Sequence, residues 1–112
     1  MRKPSDPKDL VLDLIPRSVC SVQMAAVICD AAGAILGWGW NHSGPDGYGM
    51  CAERYALMRC NQSRLWSGTI YVAGKWAEKG TLVHAKPCEK CEAVIRKFEM
   101  EVVFRNKKGK WI

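Results

Sequence analysis

Apolar residues recur along this chain with two different periods, and each period predicts its own kind of element. Between Pro7 and Pro16, Leu10, Val11, Leu14 and Ile15 lie on one helical face, which predicts a short amphipathic helix over Pro7–Ile15. Ser21–Cys29 is almost continuously apolar, the pattern of a strand covered on both faces. Asp30-Ala31-Ala32-Gly33 reads as a turn, and Ala34–Asn41 returns as a second strand, so the two form a hairpin. Within that strand Gly37 and Gly39 alternate with Trp38 and Trp40. One face is bulky and the other admits close backbone approach. Asn41–Gly49 is rich in Gly, Pro, Ser and Asp and reads as a loop. Met50–Cys60 has helical spacing, with Cys51 and Glu53 in its first turn. Thr69–Ala73 is a third strand, Lys75–Lys86 a polar connection, and Cys88–Phe98 a helix entered through Pro87. Glu101–Phe104 is a fourth strand, Asn106–Gly109 a turn, and Lys110–Ile112 the stub of a fifth strand. Helix, two strands, helix, strand, helix, strand is the order of an α/β fold with mixed strand pairing.

A length of 112 residues supports one domain and one core. Residues 1–19 form an N-terminal helix and extension, and 20–112 form the core, with no internal repeat or low-complexity linker. The chain is 48% hydrophobic and 25% charged, as in a soluble globular protein. No run approaches the roughly 20 apolar residues that would cross a bilayer. Met1–Asp6 leads into no apolar signal core, so a cytoplasmic protein that does not enter a membrane is expected. The net charge of +6 favours an anionic partner. Its excess lies in Arg2-Lys3 and in Arg105–Lys110, where solvated tails are the simpler reading.

The cysteines change this picture most. Cys88 and Cys91 form a Cys-x-x-Cys pair within bite of one metal ion, and Cys51 can join them from a remote segment. Three protein ligands on zinc leave a fourth tetrahedral position for water, the mark of a catalytic rather than a structural site. Glu53 stands two residues after Cys51, poorly placed as a ligand and well placed to touch that water. Both cysteine segments sit at predicted helix N-termini, where the dipole favours thiolate over thiol. Zinc-assisted hydrolysis is the chemistry these residues imply. The competing reading is a structural zinc knot closed by His84 or Cys60. Cys20, Cys29 and the other cysteines outside the metal pattern read as buried or free thiols in a reducing cytoplasm.

Cys51-Ala52-Glu53 followed by Pro87-Cys88-Glu89-Lys90-Cys91 resembles the signature of the zinc nucleobase deaminases, the cytidine deaminase-like superfamily. The resemblance spans roughly residues 20–105. Met50–Leu57 is similar to the small nucleoside cytidine deaminases, which use Cys as first ligand. Gly37-Trp38-Gly39-Trp40-Asn41 looks more like the branch acting on adenosine in tRNA. The resemblance implies a three-layer α/β/α sandwich with a four- to five-stranded mixed sheet, in compact form. It implies Zn²⁺ on Cys51, Cys88 and Cys91, with Glu53 moving protons between water, the ring nitrogen and the departing amine. It further implies that backbone groups of Ala52 and Pro87 touch the base edge, and that Asn41 touches base or sugar. Three thiolates leave the zinc site with a net negative charge, and Arg54 stands where the family places an arginine that offsets it. A neighbouring subunit closes the pocket in the small cytidine deaminases, so a homo-oligomer is expected.

Two features depart from the family. The Phe-x-x-Asn-x-Glu strand that grips ribose in nucleoside cytidine deaminases is absent, since the second strand ends Trp38-Gly39-Trp40-Asn41-His42. The connection from Glu53 to Pro87 is also long. The expected substrate is a pyrimidine nucleoside or nucleotide, its cytosine converted to uracil with release of ammonia. The alternatives are cytosine or adenine in single-stranded nucleic acid, and a non-catalytic zinc-stabilised binding module. His42, Asp46 and Tyr48 are further candidates in or beside the pocket, Trp66 and Trp76 candidates to stack a base, and His84 and Lys86 candidates to meet a phosphate. Each also has an ordinary surface or core reading.

Overall fold

The computed structural model describes residues 6–43, 49–87 and 89–112. Helix α1 runs Pro7–Leu14. Asp6 caps it, its Oδ1 accepting the Lys8 N–H at 2.9 Å, and Pro7 occupies a first-turn position where no amide is missed. A 3-10 turn, Ile15–Arg17, closes it around Pro16, so the predicted helix ends one residue early.

Strands β1 (Val22–Cys29) and β2 (Ile35–Trp40) form the predicted antiparallel hairpin. Asp30 organises its turn by accepting the Ala32 and Ala34 N–H groups, and Gly33 supplies the left-handed residue at φ 89°. Two short strands follow, β3 (His42–Ser43) and β4 (Gly49–Met50), paired antiparallel where a plain loop was expected. Helix α2 is Ala52–Met58. Strand β5 runs Thr69–Trp76, past the predicted end at Ala73. Pairing with β1 along its full length, from Thr69 opposite Cys29 to Trp76 opposite Val22, overrides the weak strand propensity of Gly74-Lys75.

Helix α3 (Glu89–Lys97) crosses over to β6 (Glu101–Phe104), which pairs parallel with β5. Such a pairing cannot be made by a tight turn. The strand order is β2-β1-β5-β6. The predicted fifth strand is reduced to one rung: Phe104 and Ile112 exchange two backbone hydrogen bonds of 2.9 Å beside an Arg105–Trp111 bridge.

Alternate residues of β1 and β5 separate two cores. Ala25, Val27, Cys29 and Ala73 face Val11, Leu14 and Ile15 around α1. Ala26, Ile28, Ile70 and Val72 face Ala52, Ala56 and Ile95 from α2 and α3. The architecture is the expected three-layer sandwich, its mixed sheet carrying four strands.

The glycine face of β2 seats α2. A Cβ on Gly39 would stand 2.7 Å from the Ala56 nitrogen, and one on Gly37 would stand 2.7 Å from Cys60 Sγ. Only glycine lets this helix lie so close to its strand. That approach sets the depth at which α2 presents its first turn.

Candidate zinc and catalytic site

Cys51 is the N-cap of α2, one residue before the first turn in which it was expected. Its backbone is extended (φ −72°, ψ 156°), and its Sγ accepts the Arg54 backbone N–H at 3.4 Å. A sulfur thus takes the place where Ser, Thr or Asp usually caps a helix, and the free N–H of the first turn stabilises negative charge on it. Glu53 follows inside that turn and is 5% exposed. Cys91 lies in the first turn of α3 and is buried.

These residues meet. Cys51 Sγ and Cys91 Sγ are 3.3 Å apart. One donor atom from each of Cys51, Glu53 and Cys91 falls within 4.8 Å of the others. Two thiolates on a tetrahedral zinc, each about 2.3 Å from the ion, stand about 3.8 Å apart, so a small opening of the pair accommodates the ion. The donor set fits zinc: soft sulfur from two elements with a carboxylate alongside. Cys88, the third proposed thiolate, lies outside the described residues, as do Asp46 and Tyr48.

The two candidate ligands of a closed structural knot do not join this cluster among the described residues. Cys60 is buried in the core, its thiol donating to the Ala56 carbonyl at 3.3 Å, and burial pushes that thiol up to about 11. His84 is exposed and lies edge-on to Phe104 at 4.9 Å.

Glu53 pays for its position. Burial first, and the charge of Cys51 second, push its carboxyl up to about 7, against a smaller opposing contribution from its own backbone N–H. In the zinc-free protein this carboxyl therefore keeps its proton to near neutrality.

Ala52 is fully buried beside Cys51, and Pro87 is buried at the approach to α3. Ala85, two residues before Pro87, and Ala52 are both buried in the core on the α2 and α3 side of the sheet. Arg54 is exposed, and its described hydrogen bond to Cys51 comes from its backbone rather than its guanidinium.

Asn41 has a structural task. Its Oδ1 accepts the Ser18 hydroxyl at 2.6 Å and the Met24 N–H at 2.9 Å, while its Nδ2 donates to the Val22 carbonyl at 2.7 Å. The second amide hydrogen is what such a side chain can still extend to a ligand. Sequence reasoning passed over Ser18, which is buried and holds Asn41 from 23 positions away. No local pattern marks such a pairing. It also passed over Tyr55, whose ring meets His42 at 4.9 Å and Trp40 at 5.8 Å. Its place beside Arg54 was the available signal.

The fold is similar to solved cytidine deaminases. The enzyme from Burkholderia pseudomallei superposes with a TM-score of 0.72 at 18% identity, over 99% of this chain and 91% of that one. The enzyme from Mycobacterium leprae gives 0.63 at 14% identity, over 93% and 88%. A search of curated protein sequences found no match. Residues 10–106, nearly the whole chain, match the family description "Cytidine and deoxycytidylate deaminase zinc-binding region". With that match on a three-layer fold and clustered thiols beside a buried carboxylate, the chain belongs to the zinc-dependent cytidine and deoxycytidylate deaminase family.

Proposed function

We propose that this protein hydrolyses the amino group from the cytosine of a cytidine or deoxycytidine nucleoside or nucleotide, giving uracil and ammonia. The observation that carries this reading is the convergence of Cys51, Glu53 and Cys91 within 4.8 Å at the starts of two helices. Cys51 and Cys91, with Cys88, hold the zinc. The ion, when bound, supplies a Lewis acid that makes water a nucleophile at neutral pH.

The chain's own residues do the rest. Glu53 removes a proton from the attacking water, delivers it to the ring nitrogen N3, and then moves a second proton to the amine that leaves as ammonia. Water adds at C4 and the C4–N bond breaks, so the balance is substrate plus water to uracil product plus ammonia. Buried Ala52 and Pro87 border the base, with their backbone groups toward its edge. Asn41, through its remaining amide hydrogen, orients base or sugar. Arg54 moderates the negative charge of the thiolates.

The chain works as a homo-oligomer in the cytoplasm. The exposed apolar surface of Trp38 and Met58 suits the first, and the thiols of Cys20, Cys29 and Cys60 suit the second.

A second reading, deamination of cytosine or adenine in single-stranded nucleic acid, is favoured by the basic segment Arg105–Lys110 and exposed Trp76. Ammonia release from cytidine, deoxycytidine, their monophosphates and single-stranded oligonucleotides containing cytosine or adenine separates the readings. Glu53→Gln is expected to keep its zinc and lose about 1,000-fold in turnover, the scale of a general acid–base contribution. Full activity in that variant refutes the mechanism.

A further inference from the structure

Ser18 lies between the Ile15–Arg17 turn and β1, 23 positions before Asn41, and is 2% exposed. We propose that Ser18 is a positioning residue for the deamination. Its hydroxyl locks the Asn41 amide so that Asn41 meets the substrate only as a hydrogen-bond donor, and so selects an oxygen acceptor there. This role rests on the reading above, in which Asn41 touches base or sugar.

The hydrogen bonds leave one arrangement of the amide. The Met24 backbone N–H can only donate and the Val22 carbonyl can only accept. The side-chain atom 2.9 Å from the first is therefore the amide oxygen, and the atom 2.7 Å from the second is the nitrogen. The Ser18 hydroxyl has a single hydrogen. Its oxygen accepts the Cys20 N–H at 3.2 Å, and its hydrogen goes to Asn41 Oδ1 at 2.6 Å. Both lone pairs of Oδ1 are then filled, by Ser18 and by Met24. Among the described residues, one hydrogen on Asn41 Nδ2 remains, and the plane of the amide sets its direction. Without the Ser18 hydroxyl, Oδ1 regains a lone pair and the same side chain can accept as well as donate.

Ser18 is itself held. Its backbone N–H donates to the Ile15 carbonyl at 3.2 Å, and its own carbonyl accepts Gln23 Nε2 at 2.7 Å. Ile15 is buried in the core around α1. A contact fixed in advance by such bonds loses little freedom when a ligand arrives.

The backbone also ties Asn41 to the zinc cluster. The Asn41 N–H donates to the Met24 carbonyl at 3.1 Å, which carries the β1–β2 pairing one residue beyond Trp40. Side chains alternate along a strand, so Asn41 falls on the face of Gly37 and Gly39, where α2 is seated. The next residue, His42, pairs with Met50, the neighbour of Cys51. The Cα atoms of Asn41 and Cys51 are thus no more than about 13 Å apart. Trp40 and His42, on either side of Asn41, both meet the ring of Tyr55. The Tyr55 backbone N–H in turn donates to the Cys51 carbonyl at 3.1 Å.

The test is a double-mutant cycle on the zinc-loaded protein: wild type, Ser18→Ala, Asn41→Ala and the pair. For each, kcat and KM are measured on the best substrate among cytidine, deoxycytidine and their monophosphates. Asn41→Ala is expected to raise KM roughly tenfold and Ser18→Ala roughly fivefold, the scale of one lost hydrogen bond, with kcat within about twofold. In the Asn41→Ala background, Ser18→Ala should add less than about twofold, because a residue acting through Asn41 has nothing left to position. Equal effects of Ser18→Ala in both backgrounds, or no effect on KM in wild type, overturn the proposal.

A second set of measurements needs neither turnover nor a Ser18 variant. The Ser18 hydroxyl hydrogen should exchange slowly with water in wild type and faster in Asn41→Ala; equal exchange in the two overturns the lock. Uridine titrated into the zinc-loaded wild type should shift one Asn41 Nδ2 hydrogen resonance far more than the other, which stays on Val22. A response to uracil alone assigns the acceptor to the base carbonyl, and a response to uridine but not uracil assigns it to a sugar oxygen. Such shifts without deamination of any cytosine substrate would remove the deaminase reading and leave the donor contact standing. Silent Nδ2 hydrogens at saturating uridine overturn the donor contact itself.

Discussion

The two faces of the sheet are built from the same strands and do opposite work. On the α1 face, Val11, Leu14 and Ile15 cover Ala25, Val27, Cys29 and Ala73, an aliphatic contact that stabilises by burial alone. On the opposite face the same strands pack against α2 and α3, and that layer contains two thiols and a carboxylate in its wall. One face is stable as it stands. The other accepts a destabilising buried carboxyl, and binding zinc between the helices offsets that burden.

The largest expected effect breaks the α2/α3 face directly. Cys91→Ala, or removal of zinc by a chelator, should lower stability by about 4 kcal/mol, the linkage expected for a ligand at a thousand times its Kd. Thermal unfolding with and without added zinc checks this, and the wild-type dependence on zinc should vanish in the variant. Next, Leu14→Ala on the α1 face should cost about 3 kcal/mol through loss of packing, with zinc content and kcat unchanged.

A smaller loss of stability should do more harm to function. Gly39→Ala places a Cβ 2.7 Å from the Ala56 nitrogen and must push α2 outward. It should cost about 2 kcal/mol. Turnover should nevertheless fall about tenfold, because a displacement of an ångström or less at the reacting groups is costly. If Leu14→Ala and Gly39→Ala lower kcat equally, the division of labour between the faces is wrong.

The smallest effect concerns the zinc-free protein. Glu53 is protonated below its unfolded value near 4.5, where folding loses nothing to it, and its folded value is raised to about 7. Folding therefore weakens as pH rises from the lower value through the higher one. Glu53→Gln removes that penalty. The variant should unfold later than wild type by about 1–2 kcal/mol at pH 8, and by almost nothing at pH 4. Chelator-treated samples compared by denaturant unfolding at both pH values test the sign.

The two faces were also unequally legible in the sequence. Leu10, Val11 and Leu14 announce α1 by spacing, and Asp6, Pro7 and Pro16 mark its limits. The glycines of β2 announced close approach, and the cysteine spacing announced a metal. Tertiary partners decided what remained hidden. Gly74 and Lys75 become strand because β1 lies alongside them. Cys51 becomes a cap because the helix begins two residues later than periodicity suggests. Asn41 is expected to touch substrate from its motif; that three hydrogen bonds also tie its side chain to Ser18, Val22 and Met24 was not legible there. That arrangement depends on how the hairpin closes against the segment before it, which no periodicity encodes.

The rung between Phe104 and Ile112 has a consequence for the protein in concentrated solution. An unpaired outer strand offers its peptide groups to a strand from another molecule, the usual start of sheet-to-sheet aggregation. Here both peptide groups of Phe104 are taken by the returning chain, and β6 is only four residues long with exposed Glu101 at its start. At the end of β6 the edge of the sheet is hemmed by its own chain, which shortens what that strand offers a neighbouring copy.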